Sequence, residues 1–388
     1  MRWLEQRIRR YEHGRWTVDN NRRVIPFSWG LEHIGGPSAQ NATPSASALV
    51  PGLPPVLNSS RPAPPADPGG EDARARAFLE KWVPETIARS DAWYACTSAS
   101  DYRLEEITDE RGRPALELQF TSSIESPVAN NNVVAARFFP AKKSGPAVVV
   151  LPQWNAKPHA QMDICRWLNT LGISALRLSL PYHDSRTAPG HERADQLVGT
   201  NIGLTLQANR QAVQDVRRCL RWLELRGYHK LGLLGTSIGS SIAFIAMAHD
   251  PAVRAAAFLH CSTYFGDVVR MGMTTAHVWE GLRGKVTGEE LRRFWEPISP
   301  VPYVPRAGRN ASNGAKGHAP KPRCLVITGD YDPTFLPELS QQALAGLRKH
   351  DVDHESLQLP CGHYSLGEAP FKWLVGGRFG MFFLQTLT

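Results

Sequence analysis

One serine stands in a context that could make it a nucleophile. Ser237 lies in the pentapeptide Gly235-Thr-Ser-Ile-Gly239, after an apolar run that starts at Lys230 and before a helix-forming run that ends at Ala248. Small residues on both sides of a serine let a strand and a helix approach closely and permit the strained turn that exposes a nucleophilic hydroxyl. The pattern therefore predicts a strand, a tight turn and a helix, with Ser237 in the turn.

A serine hydroxyl is a weak nucleophile unless a base takes its proton and a carboxylate orients that base. His363 follows the last predicted strand of the chain, and Asp330 and Asp332 follow the strand before it. Asp351 and Asp353 precede the last strand, which puts them at the opposite edge of a parallel sheet from the site. The sequence therefore contains a base and two candidate carboxylates in suitable places.

The elements around these residues predict an α/β protein with a doubly wound, mostly parallel sheet, because apolar strands alternate with helical segments. Three earlier strands, separated by polar turns, could pair as antiparallel edge strands. The predicted edge strands are Tyr102–Ile107, Ala115–Thr121 and Val133–Phe139, and the later strands are Ala147–Leu151, Ile173–Leu180, the run before Gly235, Val253–Leu259, Cys324–Thr328 and Glu355–Leu359.

From about Asn132 to its C-terminus the chain resembles α/β-hydrolase-fold serine hydrolases of the dienelactone hydrolase or esterase-like branch. The resemblance rests on the order Ser, Asp, His, with each residue just past a predicted strand. It implies that Ser237 is the nucleophile, His363 the general base and Asp332 the acid. Asp330 is the competing carboxylate.

The resemblance also implies two backbone donors for the oxyanion of the reaction. One is the N–H of Ile238, which follows the nucleophile and opens a helix. The other should come from the loop after Ala147–Leu151, where relatives often have His-Gly and this chain has Pro-Gln-Trp. Trp154 is the expected donor and Gln153 the alternative, since Pro152 has no N–H.

Polar and aromatic side chains that follow other predicted strands are candidates for the substrate pocket, because open α/β sheets bind ligands at the carboxyl ends of their strands. Each could equally be a packed structural residue. The candidates are Gln153, Tyr182, His183, His260 and Tyr264.

Composition divides the chain into segments. Residues 1–36 form a basic and aromatic arm that is too hydrophobic for a disordered tail, and residues 37–70 form a linker rich in Pro, Ser, Ala and Gly. Residues 71–388 form the predicted hydrolase domain. Within it the strand–helix alternation breaks at about 264–320, which predicts a cap or lid insertion.

The bulk numbers describe an ordinary enzyme. At 388 residues the chain can bury a large core, and no apolar stretch approaches the roughly 20 residues that cross a bilayer. The chain has a net charge of +8, and seven of its arginines lie in the first two dozen residues without a recognised nucleic-acid motif, so we expect no nucleic-acid partner. The start of the chain has no apolar segment typical of a secretory signal, which favours a cytoplasmic protein.

Six cysteines lie far apart without Cys-x-x-Cys pairs, which favours buried thiols over disulfides or a zinc site. We expect neither a metal nor a cofactor, and a small-molecule ester as substrate. Acyl transfer, or amide and peptide cleavage, could use the same residues, and a non-catalytic hydrolase-fold binding protein is the alternative from another class. The sequence does not specify the acyl and alcohol parts of the substrate or the oligomeric state.

Overall fold

The computed structural model describes residues 2–18, 22–36, 68–109, 112–142, 145–308 and 321–388. A single large sheet at its centre carries the strands of these ranges. They are β1 Arg103–Thr108, β2 Pro114–Thr121, β3 Val133–Phe139, β4 Pro146–Leu151, β5 Ser174–Leu178, β6 Lys230–Thr236, β7 Val253–Leu259, β8 Arg323–Gly329 and β9 His354–Leu359.

The strand order across the sheet is β1-β2-β3-β5-β4-β6-β7-β8-β9. Strands β1, β2 and β3 pair antiparallel with one another, and β3 pairs antiparallel with β5. All pairs from β5 and β4 through to β9 are parallel. The predicted doubly wound, mostly parallel sheet with antiparallel edge strands is confirmed.

Helices cover both faces of the sheet, which explains why its central strands are apolar at successive positions. In β4, Val149 packs into the core on one face, while Val148 and Val150 pack into the core on the other. The helices are α1 Arg2–Val18, α2 Pro68–Ala88, α3 Ser90–Trp93, α4 Met162–Thr170, α5 Ile202–Leu225, α6 Ile238–His249, α7 Phe265–Met271, α8 Ala276–Leu282, α9 Gly288–Phe294, α10 Val304–Ala307, α11 Pro337–Lys349 and α12 Phe371–Leu387. Residues of α5 and α6 contribute to the first core, and residues of α4 and α12 to the second.

The segment 22–36 packs against the start of α5. The Ile202 N–H donates to the Ser28 carbonyl at 3.0 Å, and the Gly203 N–H donates to the Trp29 carbonyl at 2.9 Å. A Cβ at Gly203 would lie 1.9 Å from the Gly30 carbonyl oxygen, so the close approach of the two backbones requires glycine there. This contact ties the predicted arm to the longest helix of the fold.

Only some of the predicted segment boundaries fall within the residues that the structure describes. Most of the linker 37–70 lies outside the described residues, although α2 begins at Pro68, within the predicted linker. Helices α7 to α10 lie between β7 and β8, and the last part of the predicted cap, 309–320, is also outside the described residues. The division into arm, linker, domain and cap therefore stays a prediction. Within the described ranges, none of the helices combines the length and apolarity needed to cross a bilayer.

A buried ion pair joins α5 to the segment after β5. The Arg186 guanidinium donates from Nη2 to Asp215 Oδ2 at 2.9 Å, and both side chains are fully buried. Asp215 also accepts from the Ser122 hydroxyl at 2.7 Å, and Arg186 donates to the carbonyls of Ser179 and Asn131. Burial raises the pKa of Asp215, and Arg186 opposes that rise. The pair is therefore stable only while both partners are present.

We predict that Arg186→Ala lowers the free energy of unfolding by about 3–5 kcal/mol, because it leaves Asp215 buried without its cation. The urea midpoint should fall at an unchanged m-value. Arg283→Ala is the matched control: Arg283 is 62% exposed and pairs with Glu280 on the surface of α8, so its removal should change stability by less than about 1 kcal/mol. Equal effects of the two variants would contradict this account of the pair.

Candidate active site

The turn that carries Ser237 is strained. Ser237 has φ of 57° and ψ of −122°, between the end of β6 and the start of α6. Non-glycine residues adopt such conformations at a cost of about 1–3 kcal/mol and do so mainly at functional sites. The Ser237 N–H donates to the Leu259 carbonyl, and the Ser240 hydroxyl donates to the Gly235 carbonyl, each at 2.8 Å. The predicted strand, turn and helix are all present.

His363 lies beside Asp332, as the sequence predicted for a base and its acid. The His363 Nδ1 is 3.1 Å from Asp332 Oδ2. Asp332 Oδ1 accepts from the backbone N–H groups of Thr334 and Phe335 at 2.8 and 2.9 Å, so the carboxylate has a fixed orientation. The Phe335 ring stacks on the imidazole, with an interplanar angle of 4°. The other candidate, Asp330, instead accepts from the Gln358 side chain.

A second histidine shares the same carboxylate oxygen. The His260 Nδ1 lies 2.6 Å from Asp332 Oδ2, and the ring centroids of His260 and His363 are 4.3 Å apart. His260 follows β7 with φ of 63°, a left-handed conformation that turns its side chain toward the neighbouring strand end. Asp332 and the two histidines therefore form one cluster, which we call the His–Asp–His cluster, and in it Asp332 and His260 are buried while His363 is partly exposed.

The three pKa values of the His–Asp–His cluster depend on one another. Burial alone would raise the pKa of Asp332, but the two imidazoles outweigh it and hold that pKa well below its usual range. Burial, together with the nearby His363, lowers the pKa of His260. For His363 burial acts in the same downward direction, yet the Asp332 carboxylate outweighs it and the pKa rises. The pKa values of the two imidazoles are therefore shifted in opposite directions, that of His363 upward and that of His260 downward.

The His–Asp–His cluster is also the group that a metal ion could use, since its ligand atoms all lie within 4.8 Å of one another. The donor set does not favour this use. Asp332 Oδ1 is engaged by two backbone N–H groups and Oδ2 faces both imidazoles, so the carboxylate has little capacity left for a cation. The arrangement matches a hydrogen-bonded acid and base better than a metal centre.

A cavity of about 870 Å³ joins these groups. Ser237, His260 and His363 line it. So do Ile238 and the two candidate donors of the loop after β4, Gln153 and Trp154. The remaining lining mixes polar and apolar residues, and the apolar ones include Val198, Leu259, Phe265, Val268, Phe335 and Phe379.

The loop after β4 lies directly against the first turn of α6. A Cβ at Gly239 would be 2.6 Å from the Leu151 carbonyl oxygen and 2.7 Å from that of Pro152, so only glycine allows this approach. The Trp154 indole N–H donates to the Ala194 carbonyl at 2.9 Å, and its ring stacks on His277. The indole N–H is therefore already used, which leaves only the backbone N–H of this residue as a donor to a ligand.

No protein-family model matches this chain, and a comparison with curated protein sequences finds no match. Solved structures are similar. The chain aligns with an acetyl xylan esterase from Paenibacillus sp. at 12% identity and a TM-score of 0.56, over 79% of this chain and 98% of that one. It aligns with acetyl xylan esterase 1 from Thermoanaerobacterium sp. at 14% identity and a TM-score of 0.53, over 79% of this chain and 93% of that one. An acylaminoacyl peptidase from Pyrococcus horikoshii aligns at 11% identity and a TM-score of 0.50, over 74% of this chain.

The chain spans 42% of the length of that peptidase but nearly all of the Paenibacillus esterase. This chain has the α/β-hydrolase fold. At these identities the likeness concerns the fold, so the chemistry has to be argued from the residues of the site.

Three of the pocket candidates do not line the cavity of this α/β-hydrolase fold. Tyr182 is buried and has φ of 63°, and its N–H donates to the Asn131 side chain at 2.9 Å. His183 is buried too, and its Nε2 accepts from the Asn155 N–H at 2.8 Å, so it supports the loop after β4. The Arg292 guanidinium lies over the Tyr264 ring, with its carbon 4.7 Å from the centre of that ring. A position after a strand places a residue at the correct edge but does not fix the direction of its side chain.

Other lining residues gave no sequence signal. Arg15 of α1 and Arg22 of the following segment line the cavity, although the sequence placed them only in a basic and aromatic arm. Lys372 and Trp373 at the start of α12 also line it. These residues lie more than 100 positions from Ser237 in the chain, and no motif spacing connects them to it.

We predict that Gly239→Ala destabilises the protein by about 1–3 kcal/mol, because its methyl group would collide with two backbone oxygens of the facing loop. The urea midpoint should fall. Gly346→Ala in α11 is the matched control, since a Cβ there meets nothing within 4 Å. Alanine is favoured over glycine inside a helix by up to about 1 kcal/mol, so this control should be neutral or stabilising. A Gly239→Ala protein as stable as the wild type would contradict the close approach.

Proposed function

We propose that this protein is a serine hydrolase that cleaves carboxylic esters, with Ser237 as nucleophile, His363 as general base and Asp332 as the acid of the triad. One observation carries the proposal. A serine in a strained strand-to-helix turn lines the same cavity as a histidine that is held by a buried carboxylate. This combination of a nucleophile, a base and an orienting group defines the serine hydrolase mechanism.

The reaction proceeds in two halves. In the first, the Ser237 hydroxyl oxygen attacks the ester carbonyl while the His363 Nε2 takes its proton. The C–O bond to the alcohol then breaks, and His363 returns the proton to the leaving alkoxide. In the second, His363 takes a proton from water, hydroxide attacks the acyl-enzyme, and the acid is released as Ser237 recovers its proton. Asp332 keeps Nδ1 as the protonated nitrogen and stabilises the imidazolium of both halves.

The oxyanion of each tetrahedral intermediate would be bound by backbone N–H groups. Ile238 is the first residue of α6, so its N–H is one of those at the helix start that have no partner within the helix. The second donor would be the N–H of Trp154 in the facing loop, or alternatively that of Gln153. The packing of Gly239 against the Leu151 and Pro152 carbonyls supports this pairing, because it holds the loop against the helix start.

The comparisons support a hydrolase and leave two bond types to consider. Two similar structures are acetyl xylan esterases, which favours ester cleavage, and the third is an acylaminoacyl peptidase, which favours the amide alternative. The esterases align along almost their whole length, whereas the alignment with the peptidase covers less than half of it. We therefore propose an ester as the substrate and test an amide beside it.

We predict that Ser237→Ala abolishes hydrolysis of short p-nitrophenyl esters, with a loss of about 10⁴-fold or more, because the acyl-enzyme can no longer form. The measurement compares p-nitrophenyl esters with the matched p-nitroanilides in wild type and variant. Faster turnover of the anilides than of the esters would favour the amidase alternative. Full esterase activity in Ser237→Ala would rule out the proposed nucleophile.

The two candidate carboxylates allow a matched test of the acid. Asp332→Asn should lower kcat/KM about 10⁴-fold, because the amide no longer holds the imidazole in the required tautomer. Asp330→Asn should leave activity close to wild type, since Asp330 contacts Gln358 and not His363. The opposite ranking of these variants would assign the acid to Asp330.

The pH dependence of kcat/KM gives a further test of the interaction between Asp332 and His363. The base must be unprotonated, so wild-type kcat/KM should rise with pH through a pKa above the ordinary histidine value of 6.5. Asp332→Asn removes a negative charge that favours imidazolium, so the acidic limb of its residual activity should move to lower pH. An acidic limb that stays in place would contradict the role of Asp332 next to the base.

A further inference from the structure

A glutamate from the N-terminal helix is buried against the loop that carries His363. Glu12 of α1 is only 1% exposed. Its Oε2 accepts from the Tyr364 N–H and its Oε1 from the Ser365 N–H, each at 2.8 Å. These two N–H groups belong to the residues that follow His363 directly, so one carboxylate holds the backbone next to the base.

The loop is shaped to receive this side chain. A Cβ at Gly362 would lie 2.5 Å from the Glu12 carboxyl carbon, so glycine on the other side of His363 leaves the room that Glu12 occupies. The Gly362 N–H donates to the Ser365 hydroxyl at 2.8 Å, which closes the loop on itself. Glu12 therefore contacts the backbone on both sides of His363: Gly362 before it, and the N–H groups of Tyr364 and Ser365 after it.

We propose that Glu12 is a positioning residue of the active site, which holds the 362–365 backbone and thereby keeps the His363 imidazole against Asp332, in the cavity that Ser237 lines. This inference rests on the proposed function. It means that the N-terminal helix, which lies more than 200 residues from Ser237 in the chain, completes the site instead of merely covering it.

A role limited to attaching α1 would not need this placement. Tyr11 already links the helix to the segment before α12, because its hydroxyl donates to Glu368 Oε1 at 3.0 Å, and Ile8 is buried against the protein. Glu12 differs in that both of its oxygens are directed at the residues beside the base. Among the described residues, Asp332 and Glu12 are the charged groups that raise the pKa of His363, and the rings of His260 and Tyr364 lie beside its imidazole.

The test uses the full-length chain with Glu12→Gln. Glutamine fills the same space, but its amide nitrogen would face one of the two N–H donors, so one bond is lost. We expect kcat for p-nitrophenyl esters to fall about 10²-fold, the effect of a small misplacement of a catalytic group, with little change in KM. The acidic limb should also move to lower pH, because a negative charge near His363 is removed.

Glu5→Gln is the matched control. Glu5 lies on the same helix and pairs with Arg9 on the surface, so this variant should keep wild-type kcat and the wild-type pH profile. If Glu12→Gln keeps wild-type kcat, the proposal is overturned. It is also overturned if kcat falls only together with thermal stability, while the acidic limb of the remaining folded enzyme stays where it is.

Glu12→Asp serves if the glutamine variant does not fold. It keeps the charge but is one methylene shorter, so it should lower kcat and leave the acidic limb near that of wild type. Full kcat in Glu12→Asp would overturn the proposal. NMR titration of the His363 imidazole in wild type, Glu12→Gln and Glu5→Gln gives a readout that needs no substrate.

These readouts separate the two proposals. An inactive wild-type protein whose His363 titration shifts only in Glu12→Gln would contradict the hydrolase proposal and support the role of Glu12. An active enzyme that loses its activity in Ser237→Ala, but shows no effect of Glu12→Gln on kcat or on the titration, would overturn the role of Glu12 alone.

Discussion

The site depends on one buried carboxylate. Asp332 is 2% exposed, and a charge at such a depth is stable only with opposite charge and hydrogen bonds around it. Two backbone N–H groups bind one of its oxygens, and two imidazoles face the other. Strands β7, β8 and β9 are neighbours in the sheet and run parallel, so their carboxyl ends lie side by side. The residues that follow these three strands, His260, Asp332 and His363, therefore meet although they are far apart in the chain.

The turn at Ser237 adds a steric constraint. Its left-handed backbone is held by β7 through the Leu259 carbonyl, and the two glycines around it bring β6, α6 and the loop after β4 to backbone contact. The proposed nucleophile and the proposed oxyanion donors are therefore held by the same close packing. A larger residue at Gly239 would push the loop after β4 away from α6. It would lower the stability of the protein and change the geometry of the site at the same time.

The N-terminal segment has two contacts of different kinds. The backbone of Ser28 and Trp29 binds the start of α5 through hydrogen bonds, while α1 lies against the segment after β9 and buries Glu12 beside His363. Arg15 and Arg22 then become part of the cavity wall. The composition of this segment is typical of an accessory arm. In the structure it lines the cavity and packs against the loop that carries His363.

The sequence by itself determined the succession of strands and helices along the chain, the turn at Ser237, and the positions of His363 and of the two candidate carboxylates. Each of these depends on local pattern: apolar runs, glycine spacing and position after a strand. Only the tertiary structure decided between Asp332 and Asp330 by contact, placed His260 on the acid, and turned Tyr182, His183 and Tyr264 away from the cavity. It also brought Glu12 to the base. Side-chain direction and contacts between distant segments arise from packing of the whole fold, and no local spacing encodes them.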